Sequence, residues 1–220
     1  MKHPLTITPK TEILPIILII STIIASFYFY QYFPEQVPTH WNISGTIDGY
    51  SGKFFAAFFF PLLNLVMYLL FLFLPLIDPQ KERYQQFASV YHLFKNLIIA
   101  LLTVVYFMVG LAGIGVAVPV DLITPVLVGL LFVIIGNYMG KIKRNWFFGA
   151  RTPWTLSSEE NWNKTNRLSG KLFIVSGVLM ILEIILPLPA KLPVFIFAIL
   201  LAAVVPVVYS ALLYLKEKKL

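Results

Sequence analysis

GNYMGKIKRNWFFGARTPWTLSSEENWNKTNRLSGK, residues 136–171, is polar, basic and rich in Trp, Asn, Gly and Thr. It interrupts a chain that is otherwise close to lipid in character. Of 220 residues, 59% are hydrophobic and 12% charged, and the mean hydropathy is +0.83. A soluble domain carries about 25% charged residues. So few charges cannot clothe a water-facing surface, and the chain reads as an integral membrane protein. The stretch must then lie at a membrane face. The chain has no cysteine, which removes disulfides and thiolate metal sites.

Outward from this stretch, six runs meet or approach the length of about 20 apolar residues that crosses a hydrocarbon core about 30 Å thick. They cover residues 14–33, 54–77, 97–118, 122–139, 172–186 and 194–215. The fold class is all-α, a bundle of six transmembrane helices. The first run is too long for a signal-peptide core and no Ala-x-Ala site follows, so it is read as a mature helix. The fifth ends early at Pro187 and Pro189 and can lengthen inward through Gly170. Residues 14–77 make an N-terminal helical hairpin around an external loop, 34–53. Residues 97–220 make a four-helix region that carries the 136–171 loop.

Orientation follows from charge. Of the 17 lysines and arginines, all but Lys53 and Lys191 precede the first run, follow the sixth, or lie between runs two and three or four and five. Lys81, Arg83 and Lys95 are assigned to the second of those regions, residues 78–96. A bias of this kind over short loops places both termini in the cytoplasm, N-in and C-in.

Inside the runs, Gly110, Gly113 and Ala117, and then Gly129, Gly136 and Gly140, read as helix-packing positions, where small residues let backbones approach. Asn64 reads as an interhelical hydrogen-bond partner. Pro61, Pro75 and Pro206 can kink their helices. Glu183 is the one acidic residue inside a run as drawn, which makes it a functional candidate, with escape to the outer headgroups as the alternative.

The external loop PEQVPTHWNISGTIDGYSGK holds His40, Trp41, Asn42, Gly45, Asp48, Gly49, Tyr50 and Lys53. Its glycines permit turns, and Trp41 and Tyr50 suit a membrane interface. Two readings stand side by side: a folded cap on the helix ends, and a ligand-facing surface. His40, Asn42 and Asp48 suggest a polar cluster. One His and one Asp without helical spacing make a weak metal pattern, and no metal or other cofactor is expected. In the internal loop, Ser157 with Glu160 reads as a capping box that starts a helix near Ser158. On that helix Lys164, Arg167 and Lys171 form one stripe, and Trp162, Asn166 and Gly170 another. Lys141, Lys143 and Arg144 lie below the fourth run, and Trp146, Phe147 and Phe148 suit the headgroup region. An anchored basic loop on anionic lipid explains the charge. It explains less well the set Asn145, Gly149, Thr152, Pro153, Trp154, Thr155 and Asn166, which looks built for a defined shape.

The segments Asn137-x-x-Gly140-Lys141, Asn145, Gly149-x-Arg151-Thr152-Pro153-Trp154-Thr155-Leu156 and Glu160-x-Trp162-x-x-Thr165-Asn166-x-x-x-Gly170 resemble the signature of the SdpI family. The external Pro38-Thr39-His40-Trp41-Asn42-x-x-Gly45-x-x-Asp48-Gly49-Tyr50 resembles the small domain of unknown function usually found upstream of it. The resemblance implies a multipass protein of the bacterial cell membrane. It implies immunity to a secreted toxin peptide, signal transduction, or both, since the family's name-giving member also holds a cytoplasmic repressor at the membrane. The partners expected are then the lipid bilayer, a toxin outside and a repressor inside, with no direct nucleic-acid contact. His40, Trp41, Asn42, Gly45, Asp48, Tyr50 and Glu183 become the toxin-facing candidates. Asn137, Gly140, Lys141, Asn145, Gly149, Arg151, Thr152, Pro153, Trp154, Trp162, Thr165, Asn166 and Gly170 become the cytoplasmic keystone.

The residues also bear on two other classes. The sequence has no His-Glu-x-x-His, no nucleophile elbow and no pair of intramembrane aspartates. No nucleophile and base can be placed together, and an enzyme is not expected. A small transporter or channel is the stronger rival. Pro61, Pro206, Asn64 and Glu183 favour it, and the scarcity of midplane polar residues opposes it.

Overall fold

The computed structural model describes residues 3–218. Lys2 and Lys219, both part of the charge bias, lie outside the described residues. Among the described residues, six helices are long and apolar enough to cross a membrane. In chain order the elements are α1 (Pro9–Tyr32), β1 (Gln36–Trp41), β2 (Ile47–Gly52), α2 (Lys53–Ile77), a 3-10 turn (Lys81–Phe87), α3 (Ala88–Gly113), α4 (Val120–Met139), a short α5 (Pro153–Ser157), α6 (Glu159–Leu182), a 3-10 turn (Glu183–Ile185) and α7 (Leu188–Glu217). All but α5 of these helices are the spans. Large apolar side chains such as Ile24, Phe27, Phe54 and Ile185 stay exposed, as expected of helices whose solvent is lipid.

The helix starts follow local chemistry. Thr8 and Thr11 cap α1 reciprocally and Pro9 occupies its first turn, so the helix begins five residues before the apolar run does. Glu12 thereby lies inside a span. α3 starts at Ala88, which moves Lys95 out of the loop and into the helix. It ends at Gly113, and Ala117 falls in the turn beyond. The capping at the start of α6 is one residue later than expected: the Ser158 side chain accepts from Asn161 N. Glu160 pairs instead with Lys164 one turn on.

The external loop is more regular than its turn residues suggested. β1 and β2 pair antiparallel, with Val37 opposite Ser51 and Trp41 opposite Ile47, and with irregular register around His40. Gly45 takes φ +76° in the connecting turn, a backbone state that glycine alone adopts freely. Asn42 Oδ1 accepts from the backbone N–H groups of Ser44 and Thr46.

The chain divides into two compact units. One comprises Ile7–Phe73 and His92–Ile123. Its core is Phe29, Phe33, Val37, Ala56, Ala57, Tyr106 and Val109. Val37 is fully buried there, so the hairpin is fixed to the helices by its own strand. Gly110 and Gly113 leave room for the rings of Phe29 and Phe33. Asn64 Nδ2 donates to Thr103 Oγ1 at 2.9 Å, the interhelical bond its position suggested.

The other unit comprises the segment through Thr6, Leu74–Tyr91 and Thr124–Leu220. Here α4 and α6 run antiparallel along glycines. A Cβ on Gly170 would lie 2.5 Å from Gly136 O, and one on Gly129 2.6 Å from Gly177 O. Such contact distances leave space for hydrogen alone. Toward α7, Ser176 Oγ donates to Ala198 O at 2.7 Å and Asn161 Nδ2 to Ser210 O at 2.9 Å.

Candidate functional site

The 136–171 stretch folds into a knot held by side chains that answer backbone groups. Asn145 is fully buried. Its Oδ1 accepts from the N–H groups of Phe147 and Phe148, and its Nδ2 donates to Lys143 O and Phe148 O. One amide side chain thus closes a tight loop that has no ladder to pair with. Gly149 follows at φ +95°, and a Cβ there would meet Asn166 Oδ1 at 2.6 Å. Asn166 uses that oxygen to accept from Ala150 N, 2.8 Å away. Thr152 caps α5 reciprocally with Thr155 and its hydroxyl reaches Ser210 Oγ on α7 at 3.0 Å. Trp162 is buried and donates Nε1–H to Ile142 O at 2.9 Å. Thr165 bonds Asn161 Oδ1, and Gly170 seats α4.

The structure therefore gathers Asn145, Gly149, Thr152, Thr155, Trp162, Thr165, Asn166 and Gly170 into one buried network. Pro153 starts α5 and is exposed, and Trp154 is half-buried on it. Arg151 is exposed, and its Nη1 donates to Trp146 O at 2.6 Å. Asn137, Gly140 and Lys141 lie on the surface of the seam instead.

Asp78 is a member of this knot that the sequence reading left as a loop residue. It is 2% exposed. Its Oδ2 accepts from Tyr84 OH at 2.8 Å and from Trp146 N at 2.9 Å, and its Oδ1 from Gln80 N at 2.7 Å. Tyr91, at the start of α3, packs edge-on against Phe148 with centroids 4.6 Å apart. Glu159 receives both Arg83 and Arg144. An Asp immediately before Pro79 is a turn signal, but its partner 68 residues on cannot be read from spacing.

The hairpin arranges the outer candidates. His40 Nδ1 and Asp48 Oδ1 are 2.5 Å apart across the two strands, both exposed. Tyr50 is 57% exposed and Trp41 half-buried. Asn42 is not part of the His–Asp pair, because its carbonyl is spent on the turn. Gly45 lies against Asp121, with its Cβ position 3.1 Å from Asp121 Cβ. Glu183 belongs to the other unit. It is 3% exposed rather than turned out to the headgroups, and its Oε2 has no hydrogen-bond partner among the described residues. No group of three or more His, Asp or Glu close enough to hold a metal occurs among the described residues.

A second charged cluster escaped the sequence reading. Lys95 Nζ lies 2.5 Å from Glu12 Oε2, both buried, and Tyr68 OH donates to the same oxygen at 2.9 Å. His92 Nδ1 stands 3.8 Å from Glu12 Oε1. The signal available was the Thr8-Pro9 start of α1, which carries the helix back over Glu12.

Comparison with known proteins is concordant with this geometry. The SdpI/YfhL protein family matches residues 141–210, and a domain of unknown function (DUF1648) matches residues 17–65. The first range holds most of the buried knot and the second holds the hairpin. The chain is 31% identical over 171 residues to the immunity protein SdpI of Bacillus subtilis (strain 168), covering 78% of this chain and 80% of that protein. No solved structure matches.

Proposed function

The chain belongs to the SdpI family of multipass bacterial membrane proteins, and from that membership we propose that it protects its cell against a secreted toxin peptide. The observation that carries the reading is the hairpin. It is anchored by buried Val37 and it presents His40, Asp48 and Tyr50 to solvent in a fixed arrangement. A preorganised polar and aromatic surface binds a peptide at low entropic cost. The orientation with this hairpin outside and both termini inside follows from the charge bias.

The knot, cytoplasmic by the same charge bias, is the proposed docking surface for a cytoplasmic repressor. Its interior is consumed by its own hydrogen bonds, so the contact would fall to its exposed parts: α5 with Pro153 and Trp154, and the Glu160–Lys164 pair. Toxin can influence that face only if it binds two conformations with different affinity. The transporter reading gains no comparable support. Asn64 is spent on Thr103. The groove of about 650 Å³ that Pro61 lines is walled by Phe54, Phe55, Phe58 and Phe59, and its one hydroxyl, Ser26, donates to Ile23 O.

The test is deletion of the gene, challenge with secreted peptide toxins, and complementation. The wild-type chain should restore survival. Combined alanine substitution of His40, Asp48 and Tyr50, at unchanged membrane abundance, should not. Full protection by that variant would move the site into the helices, with Glu183 next to be replaced.

A further inference from the structure

Four cations near the inner knot are already engaged. Arg83 and Arg144 meet Glu159, Lys164 meets Glu160, and Arg151 holds Trp146 O. Lys141, Arg167 and Lys171 are different. All three are exposed, and none forms an ion pair among the described residues.

Their placement follows from the glycine seam. Gly136 of α4 meets Gly170 of α6, and the Arg167 stem lies along Gly140, with Cγ 3.3 Å from a Cβ built there. Phe132 and Phe173 stack with centroids 4.8 Å apart and mark one flank of the seam. At about 3.6 residues per turn, Asn137 stands about 100° round from Gly136 on the opposite flank, and Lys141 follows two residues beyond the end of α4. On antiparallel α6, Lys171 is about 100° from Gly170 in the matching sense, and Arg167 about 60°. Arg167 and Lys171 therefore share one side of the seam, and Lys141 follows Gly140, the residue that the Arg167 stem covers. Lys141 Nζ rests over the Tyr138 ring, 4.6 Å from its centroid.

We propose that Lys141, Arg167 and Lys171 form a binding site for the phosphate headgroup of an anionic phospholipid. The guanidinium supplies a planar fork for phosphate oxygens, and the two ammonium groups supply point charge. The site is built by the same glycines that lock α4 to α6, so lipid would brace the knot from its flank. It is independent of the toxin reading and holds whichever face is cytoplasmic.

The full chain in detergent, titrated with phosphatidylglycerol or phosphatidylcholine and followed by native mass spectrometry, tests this. Wild type should retain phosphatidylglycerol in preference to phosphatidylcholine. The double variant Arg167→Gln/Lys171→Gln should bind phosphatidylglycerol about thirtyfold more weakly, the loss expected for two interfacial cations. Arg167→Lys should keep most of the preference, and Lys10→Gln, on α1, should keep all of it. Equal retention of the two lipids by wild type, or no loss in the double variant, overturns the site. Displacement of phosphatidylglycerol by inorganic phosphate at equal concentration would assign it to a free anion and overturn the lipid assignment.

Discussion

Lys95 Nζ and Glu12 Oε2 are 2.5 Å apart, with the lysine side chain 1% and the glutamate side chain 7% exposed. They join α1 to α3. Tyr68 on α2 donates to the same oxygen, so three helices meet on one carboxylate. Ionisable groups in a span are costly unless paired. Removing one partner strands the other.

Stability should report that coupling. Glu12→Gln or Lys95→Met alone should destabilise by about 3–5 kcal/mol, because each leaves an uncompensated buried charge. The double variant Glu12→Gln/Lys95→Met should lose much less than the sum. Thermal unfolding in detergent checks both. Additive losses would mean that the pair is a contact without energetic linkage.

Asp78 should be worth more than its loop position suggests. Asp78→Ala leaves Tyr84 OH and Trp146 N without their acceptor, at about 1–3 kcal/mol for each buried donor stranded. Tyr84→Phe removes a donor instead and should cost less. Limited proteolysis around residues 140–158 is the measurement. Rapid cleavage in Asp78→Ala and slow cleavage in Tyr84→Phe is the expected order. Equal resistance of wild type and Asp78→Ala would remove Asp78 from the knot's support.

Much of this was legible in the sequence, and the reasons differ by residue. The spans were readable because apolar length is a local property. The helix-packing role of Gly136 was readable because small residues in a span have few other uses. The Asn, Gly, Thr and Trp set of the inner loop announced a defined shape, and the buried knot is that shape. The hairpin was not read, because its strands are short and broken by Pro38, and its stability comes from Val37 reaching a core assembled by other segments. Lys95 was placed in a loop because a lysine normally ends an apolar run. Only Glu12, 83 residues away in sequence, makes its burial tolerable. Asp78 was missed for the same reason, since its partners are defined by tertiary contact.

Glycine at the α4–α6 seam should be intolerant of a single methyl. A Cβ at Gly170 would sit 2.5 Å from the backbone oxygen of Gly136, and neither helix can yield without moving the other. Gly170→Ala should cost about 1–3 kcal/mol, the usual penalty of overpacking. Gly52 has nothing within 4 Å of its Cβ position, so Gly52→Ala should be near neutral. Melting of the two variants side by side decides it. Equal melting temperatures would mean that the seam is looser than its geometry.

Membrane orientation is open to direct labelling because the chain has no cysteine. One change affects the charge bias that predicts it. Lys95 leaves the count, since it is buried and paired. The remaining loop cations keep the same sign of bias. Contacts within each unit agree with strict alternation of the spans. Gln85 Nε2 donates to Pro4 O, and Trp146 N to Asp78 Oδ2, so the segments before α1, after α2 and after α4 share a face. Gly45 lies against Asp121, which places the hairpin and the start of α4 together within the other unit. Ser44→Cys and Ser157→Cys put single exposed thiols on the two faces. In intact cells an impermeant thiol reagent should label Ser44→Cys and leave Ser157→Cys unlabelled until the membrane is opened. The reverse pattern would invert the protein, place the knot outside, and make it the toxin-facing surface. Equal labelling of both thiols from outside would break the alternation on which the six-span order rests.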